Sequence, residues 1–329
     1  MTEMSAEQRD DVLERARELG RSGAWSDVVV LLEPMMSATA GSGDAGVLYA
    51  EALMRVGRER AACEWLRQMV PSLIARGDAV NHRRALNLLG VGSFSLGDLD
   101  EASNALNTAV DLAAEADDLL LFARATNNLG ALANLRGAHE SALGHYRLAV
   151  PAYQRLGQRR GLAESYHNIA ITYRDIGDLE QADEYERRAM DYAAAGVAPR
   201  VAAMGLIGRA EVALRRGDPQ FARGTAQRAA DELNALQDPM NEADAHRLVG
   251  TAATAMRRFA EADVAFARAL SIAKERGHTL IEAETLRDRA RGMFARGAYD
   301  DARADAGAAM TLFEKLGATS EVEALRSLL

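Results

Sequence analysis

Leu96-Gly97-Asp98-Leu99-Asp100-Glu101-Ala102 and Ile176-Gly177-Asp178-Leu179-Glu180-Gln181-Ala182 are nearly the same heptapeptide, set 80 residues apart. A third copy, Arg136-Gly137-Ala138-His139-Glu140-Ser141-Ala142, lies midway, so the step is forty residues. Extended both ways, the step picks out Gly57, Gly97, Gly137, Gly177, Gly217, Arg257 and Gly297. Five residues beyond each stands an alanine: Ala62, Ala102, Ala142, Ala182, Ala222, Ala262 and Ala302. Alanine fills about one position in five, so seven in seven at a fixed slot is a repeat and not composition.

Two further columns share the step. A small residue precedes each turn position by seven: Ala50, Gly90, Gly130, Ala170, Ala210, Gly250 and Ala290. Twelve residues after the turn come Met69, Ala109, Ala149, Ala189, Ala229, Ala269 and Ala309. A weaker column, Gly77, Asp117, Gly157, Val197, Gln237, Gly277 and Gly317, marks the repeat end. Glycine ends a helix in the left-handed conformation, and Asp98, Asp178 or Asp218 then accepts amide hydrogen bonds as the next N-cap. Pro199, Pro219 and Pro239 suit first helical positions. Apolar residues recur at helical spacing, as in Leu129, Leu132 and Leu135. Each unit therefore reads as a helical hairpin whose small residues let two backbones approach. Such units bury their faces only against their neighbours.

These columns resemble the tetratricopeptide repeat family, whose pattern is a small residue, a turn residue seven later, and alanines five and twelve after that. Gly90, Gly97, Ala102 and Ala109 carry it in one repeat, and Gly130, Gly137, Ala142 and Ala149 in the next. The forty-residue step resembles the family's long-helix variant, seen in kinesin light chains and peptide-sensing bacterial regulators. HEAT-type repeats have a similar period, but the glycine and alanine columns fit the tetratricopeptide pattern. The resemblance implies an all-α, right-handed α-solenoid of about eight helix-turn-helix repeats running as one array over residues 1–329. The expected divisions are a first repeat at 6–38, a Gly-rich joint at 39–46, seven repeats at 47–317 and a C-terminal capping helix at 318–329.

Composition sets the remaining bounds. The 329 residues are 48% apolar and 26% charged, which suits a folded chain and not a disordered one. A net charge of −9 argues against nucleic acid, which calls for a basic face. The lone Cys63 permits no internal disulfide and no cysteine metal site, and reads as a buried thiol. The polar start and the short apolar runs argue against a signal peptide or a membrane span, so a cytoplasmic location is expected. Gly41-Ser42-Gly43-Asp44-Ala45-Gly46 matches a dinucleotide-binding G-x-G-x-x-G literally, but a helical repeat precedes it where a strand is required. Neither lysine, Lys274 or Lys315, sits in a phosphate-binding loop. The six histidines form no H-E-x-x-H pair. No catalytic residue, metal or cofactor is expected.

What remains is surface, and the expected role is an adaptor or scaffold. In the family the first helix of each pair lines a groove in which peptides lie. By matching position the resemblance brings to that groove Arg84 and Asn87, then Arg124, Asn127, Asn128 and Asn134, then Glu164, His167, Asn168 and Arg174. It implies that asparagine at the Asn128 and Asn168 slot holds a ligand's backbone amide. Arginine there suits carboxylates, so the expected partner is a protein or an acidic peptide. Asp244, Arg247, Glu284, Arg287, Asp288 and Arg291 occupy the later slots, and their mixed charge reads as internal ion pairs. Leu119, Leu120 and Phe122 add apolar bulk beyond the repeat pattern, which serves either a partner patch or ordinary packing. A peptide-sensing regulator and a structural subunit of a larger assembly are the alternative roles.

Overall fold

The computed structural model describes residues 6–36, 43–194, 196–316 and 318–326. Among these there are seventeen helices and no strand. Two compact units divide the chain, Met1–Gln158 and Arg159–Leu329, and the division falls just past the repeat-end Gly157. The first unit has four helix pairs: α1 (Ala6–Ser22) with α2 (Trp25–Met36), α3 (Gly43–Arg55) with α4 (Glu59–Ala75), α5 (Ala79–Ser95) with α6 (Leu99–Glu115), and α7 (Leu119–Leu135) with α8 (His139–Arg155). Four more pairs make up the second unit: α9 (Arg159–Ile176) with α10 (Leu179–Ala193), α11 (Pro199–Arg215) with α12 (Pro219–Ala235), α13 (Pro239–Ala255) with α14 (Phe259–Arg276), and α15 (Thr279–Ala295) with α16 (Tyr299–Lys315). A short α17 (Thr319–Arg326) follows. The architecture is the all-α helical-repeat solenoid that the columns imply.

Each turn is built as its column requires. At Gly97, φ is +82°, and Asp98 N donates back to Ser93 O at 2.9 Å. The Asp98 carboxylate then accepts from Glu101 N at 3.2 Å and opens α6. Asp178 and Asp218 cap α10 and α12 the same way, and Pro199, Pro219 and Pro239 open α11, α12 and α13. Arg257 takes the left-handed conformation without being glycine, with φ +58°, and its guanidinium lies 5.7 Å from the Phe259 ring.

The small columns are where helices touch. All seven alanines from Ala62 to Ala302 are buried. A β-carbon on Gly130 would collide with the ring of Tyr146, which is itself 1% exposed. Of the expected joint at 39–46, residues 39–42 lie outside the described residues. Gly43–Gly46 form the first turn of α3 instead of a linker, and packing is the reason. Trp65 Nε1 donates to Gly46 O at 3.0 Å, and Met69 leaves no room for a side chain at Gly46. At the other end Val322 and Leu325 of α17 are buried with Phe313, as a cap requires. Residues 327–329 of the expected capping helix, and Gly317, lie outside the described residues.

Gly130→Ala tests the close approach. Alanine gains about 1 kcal/mol of helix propensity, but the added carbon overpacks a closed site at a cost of about 1–3 kcal/mol. The variant is expected to be destabilised in urea unfolding, against the propensity scale.

Candidate functional site

In the first unit, the first helices α5 and α7 hold the candidate residues. Arg84 and Asn87 of α5 and Asn128 of α7 are half-buried, and Arg124 is exposed. Asn128 Nδ2 donates to Asn87 Oδ1 at 3.2 Å, so the two amides join neighbouring first helices. Asn87 keeps its own two N–H donors, and Asn128 keeps one donor and its carbonyl oxygen. Arg84 Nη1 donates to Asp44 Oδ1 and to Asn81 Oδ1, each at 3.1 Å. Arg17 reaches the other oxygen of Asp44 at 2.9 Å. Nearby, Arg83 donates to Asp118 at 2.9 Å. Burial pushes the Asp118 carboxyl up, but the bonds from Arg83 and Leu121 N, with the charge of Arg124, hold it below its ordinary value.

Two expected groove residues of this unit lie elsewhere. Asn127 is buried, although Asn87 in the same slot of α5 is half-buried. Asn134 Oδ1 accepts a hydrogen bond from His139 Nδ1 at 2.9 Å, from the last turn of α7 to the start of α8. Leu119, Leu120 and Phe122 are half-buried beside the buried Leu121.

The second unit treats the same slots differently. His167 is buried and its Nδ1 lies 2.9 Å from Glu186 Oε2. Asn168 is half-buried. Arg174 is paired with Glu211 of α11. From there a ladder of charges runs along the first helices. Arg247 of α13 lies 3.5 Å from Glu211, 2.7 Å from Asp244 and 2.7 Å from Asp288 of α15. Arg287 lies 2.9 Å from both Asp288 and Glu321. The mixed charges are internal ion pairs, as the sequence suggests. Burial would lower Arg247, but the carboxylates of Asp244, Asp288, Glu284 and Glu211 hold it well above its ordinary range. Burial would raise Asp288, yet Arg247 and Arg287 hold it below.

Glu186, Glu211 and Asp44 are partners that the sequence reading missed. Glu186 had a legible signal: its slot holds Leu66, Leu106, Tyr146 and Phe266 in other second helices. Cys63 is buried and its thiol is pushed up by that burial. Among the described residues no group of three or more His, Cys, Asp or Glu is placed to hold a metal ion. None of the described helices is long and apolar enough to cross a membrane.

The fold and these faces define a helical-repeat protein that presents side chains from successive first helices. Residues 121–195 match the tetratricopeptide repeat family model. Over that stretch the chain is similar to the tetratricopeptide repeat family, and its helical-repeat fold agrees with that likeness. It is similar in fold to a Rap protein solved with competence and sporulation factor, at 12% identity and a TM-score of 0.68, covering 99% of this chain and 97% of that one. A Rap conjugation gene regulator of plasmid pLS20, solved with the Phr* peptide, gives 15% identity and 0.66 over 85% of this chain and 76% of that one. A signal-transduction ATPase with a tetratricopeptide repeat sensor from Pyrococcus horikoshii gives 13% and 0.69, over 96% of this chain and 49% of that one. No curated protein sequence matches the chain.

Removing the Arg247 guanidinium leaves buried Asp288 with Arg287, at 2.9 Å, and takes from Asp244 its 2.7 Å partner, at a cost of about 3–5 kcal/mol. Asp100 is 95% exposed in its pair with Arg136, so Arg136→Ala should cost under about 1 kcal/mol. Arg247→Leu is therefore expected to lower the melting temperature strongly and Arg136→Ala hardly at all.

Proposed function

We propose that the chain is a protein-interaction module and that the first-helix face of the first unit binds an extended acidic peptide segment. The observation that carries this is the Asn87–Asn128 pair. It spans two first helices, is half-exposed, and keeps three N–H donors and the Asn128 carbonyl oxygen for a peptide backbone. Exposed Arg124 lies on the same helix as Asn128 and supplies a charge-assisted bond to a carboxylate. Of the Rap proteins of similar fold, one was solved with competence and sporulation factor and one with the Phr* peptide, which agrees with this reading. The role is binding in the cytoplasm, without cofactor, nucleic acid or catalysis. The face of the second unit is occupied by its own ion pairs and is left out of the site. Of the other roles, the peptide-sensing regulator uses the same face, whereas an assembly subunit does not need it.

The test is selection of random peptides on the full chain, followed by calorimetric titration of the peptide selected. Acidic sequences are expected. Asn87→Ala with Asn128→Ala should weaken binding about tenfold or more, at about 1.4 kcal/mol per tenfold. Since these groups are not buried, the melting temperature should move little. Equal affinities for the wild type and the double variant would move the binding site off this face.

A further inference from the structure

Each second helix sends a side chain into the core of its pair at one slot. Leu66, Leu106, Tyr146 and Phe266 are buried there, and smaller Ala226 and Ala306 fill it in two other pairs. In α10 that slot holds Glu186, 2% exposed. Its carboxylate is pressed against α11: a side chain at Gly208 would collide with Oε1, and one at Gly205 would stand 3.4 Å from Oε2. His167 is the direct partner, at 2.9 Å through Nδ1. The charged groups that face the pair are Arg174 from α9 and Glu211 from α11. These two are paired with one another, so their influence on it largely cancels. A buried polar pair in an otherwise apolar column calls for a reason, because apolar side chains of similar volume are often neutral or stabilising.

A second observation lies at the same place. Five residues, 194–198, separate α10 from α11, against two or three at every other helix junction of the second unit. The polar plug thus lies between the two helices joined by the longest junction of the second unit.

We propose that the His167–Glu186 pair is a proton-held latch between α10 and α11, closed while the pair keeps its proton and released when the proton leaves in alkaline solution. With the proton present the pair is neutral overall. Once it is lost, the Glu186 carboxylate is a buried charge without a counter-charge. Water can reach Oε1 only where α11 now stands, so hydration lifts α10 from α11.

The sign follows from the two groups. Burial would lower His167, but the charge and hydrogen bond of Glu186 raise it. Burial raises Glu186 against the pull of His167 and Arg174. Both folded values lie above their ordinary ones. Their contribution to stability is therefore in place at low pH; that of Glu186 is lost as pH rises through its own folded value, above 4.5, and that of His167 through its own, above 6.5.

The experiment is an NMR titration of the histidine rings in the full chain, with His167 assigned by comparison with His167→Gln. His167 is expected to be the last of the six histidines to lose its proton. Amide exchange, corrected for its intrinsic pH dependence, is the second reading. Protection in α10 and α11 should fall about tenfold between about pH 7 and pH 9 in the wild type. It should stay level in the double variant Glu186→Leu with His167→Leu, which restores the apolar column. His167 losing its proton with or before the other histidines overturns the proposal, and so does an equal fall in protection in both proteins. Should the double variant fail to fold, the titration of the wild-type ring decides alone.

Discussion

The structure depends on how closely the two helices of a pair can approach. Gly90 meets Leu106, Gly130 meets Tyr146 and Gly250 meets Phe266, and in each case a β-carbon would collide. Removing that carbon lets a large apolar side chain of the second helix lie against the backbone of the first. The alanines five and twelve residues past the turn do the same for the neighbouring contacts. Once the approach is fixed, the length of each helix and the left-handed turn residue follow, because the chain must reverse at the same height each time. The forty-residue step is the sequence trace of that geometry.

A regular step also places residues of successive repeats side by side, and arginine exploits this. Arg67 holds Glu101, Arg136 holds Asp100, Arg223 holds Glu261 and Arg296 holds Asp263, each pair 33 to 38 residues apart. Arg216 reaches the carbonyl of Leu179 across a similar span. A planar fork on a long stem bridges neighbouring helices with two parallel bonds, as Arg67 does at 2.7 and 2.6 Å. This gives a structural use to the near-exclusive choice of arginine over lysine, which composition by itself leaves unexplained. Exposed staples of this kind add little stability singly, but they favour one register between repeats over its neighbours.

Much of this was legible in the sequence. The turn glycines, the aspartate caps at Asp98, Asp178 and Asp218, and the prolines that open α11, α12 and α13 all act locally, so periodicity reveals them. Gly43–Gly46 misled because glycine reads equally as a hinge and as a place of close contact, and only Trp65 and Met69, two turns into the next helix, decide which. The candidate site was legible by half. A column says which side chains lie on first helices, but not which of them turn inward. Asn87, Asn127 and His167 share one slot, yet only the last two are buried, whereas Asn128 and Asn168 in the next slot both stay half-exposed. Buried there, His167 meets Glu186, a partner 19 residues away whose identity breaks the apolar column.

The two units show how one lattice can carry opposite surface chemistry. In the first, the slot next to the small column holds Asn128, bonded to Asn87 by a neutral amide pair that exchanges with water at a net cost of about 1 kcal/mol. In the second, the same slot in α15 holds Asp288, 6% exposed and clasped by Arg247 and Arg287. A ligand entering there must first separate buried opposite charges, which costs several kcal/mol before any new contact forms. A peptide offers the amide pair the same kinds of bonds that water does, and it offers the ion pairs nothing they lack. The difference lies in polarity and burial and not in backbone shape, which is why a helical repeat can be closed to ligands in one stretch and open in another while its step stays at forty residues.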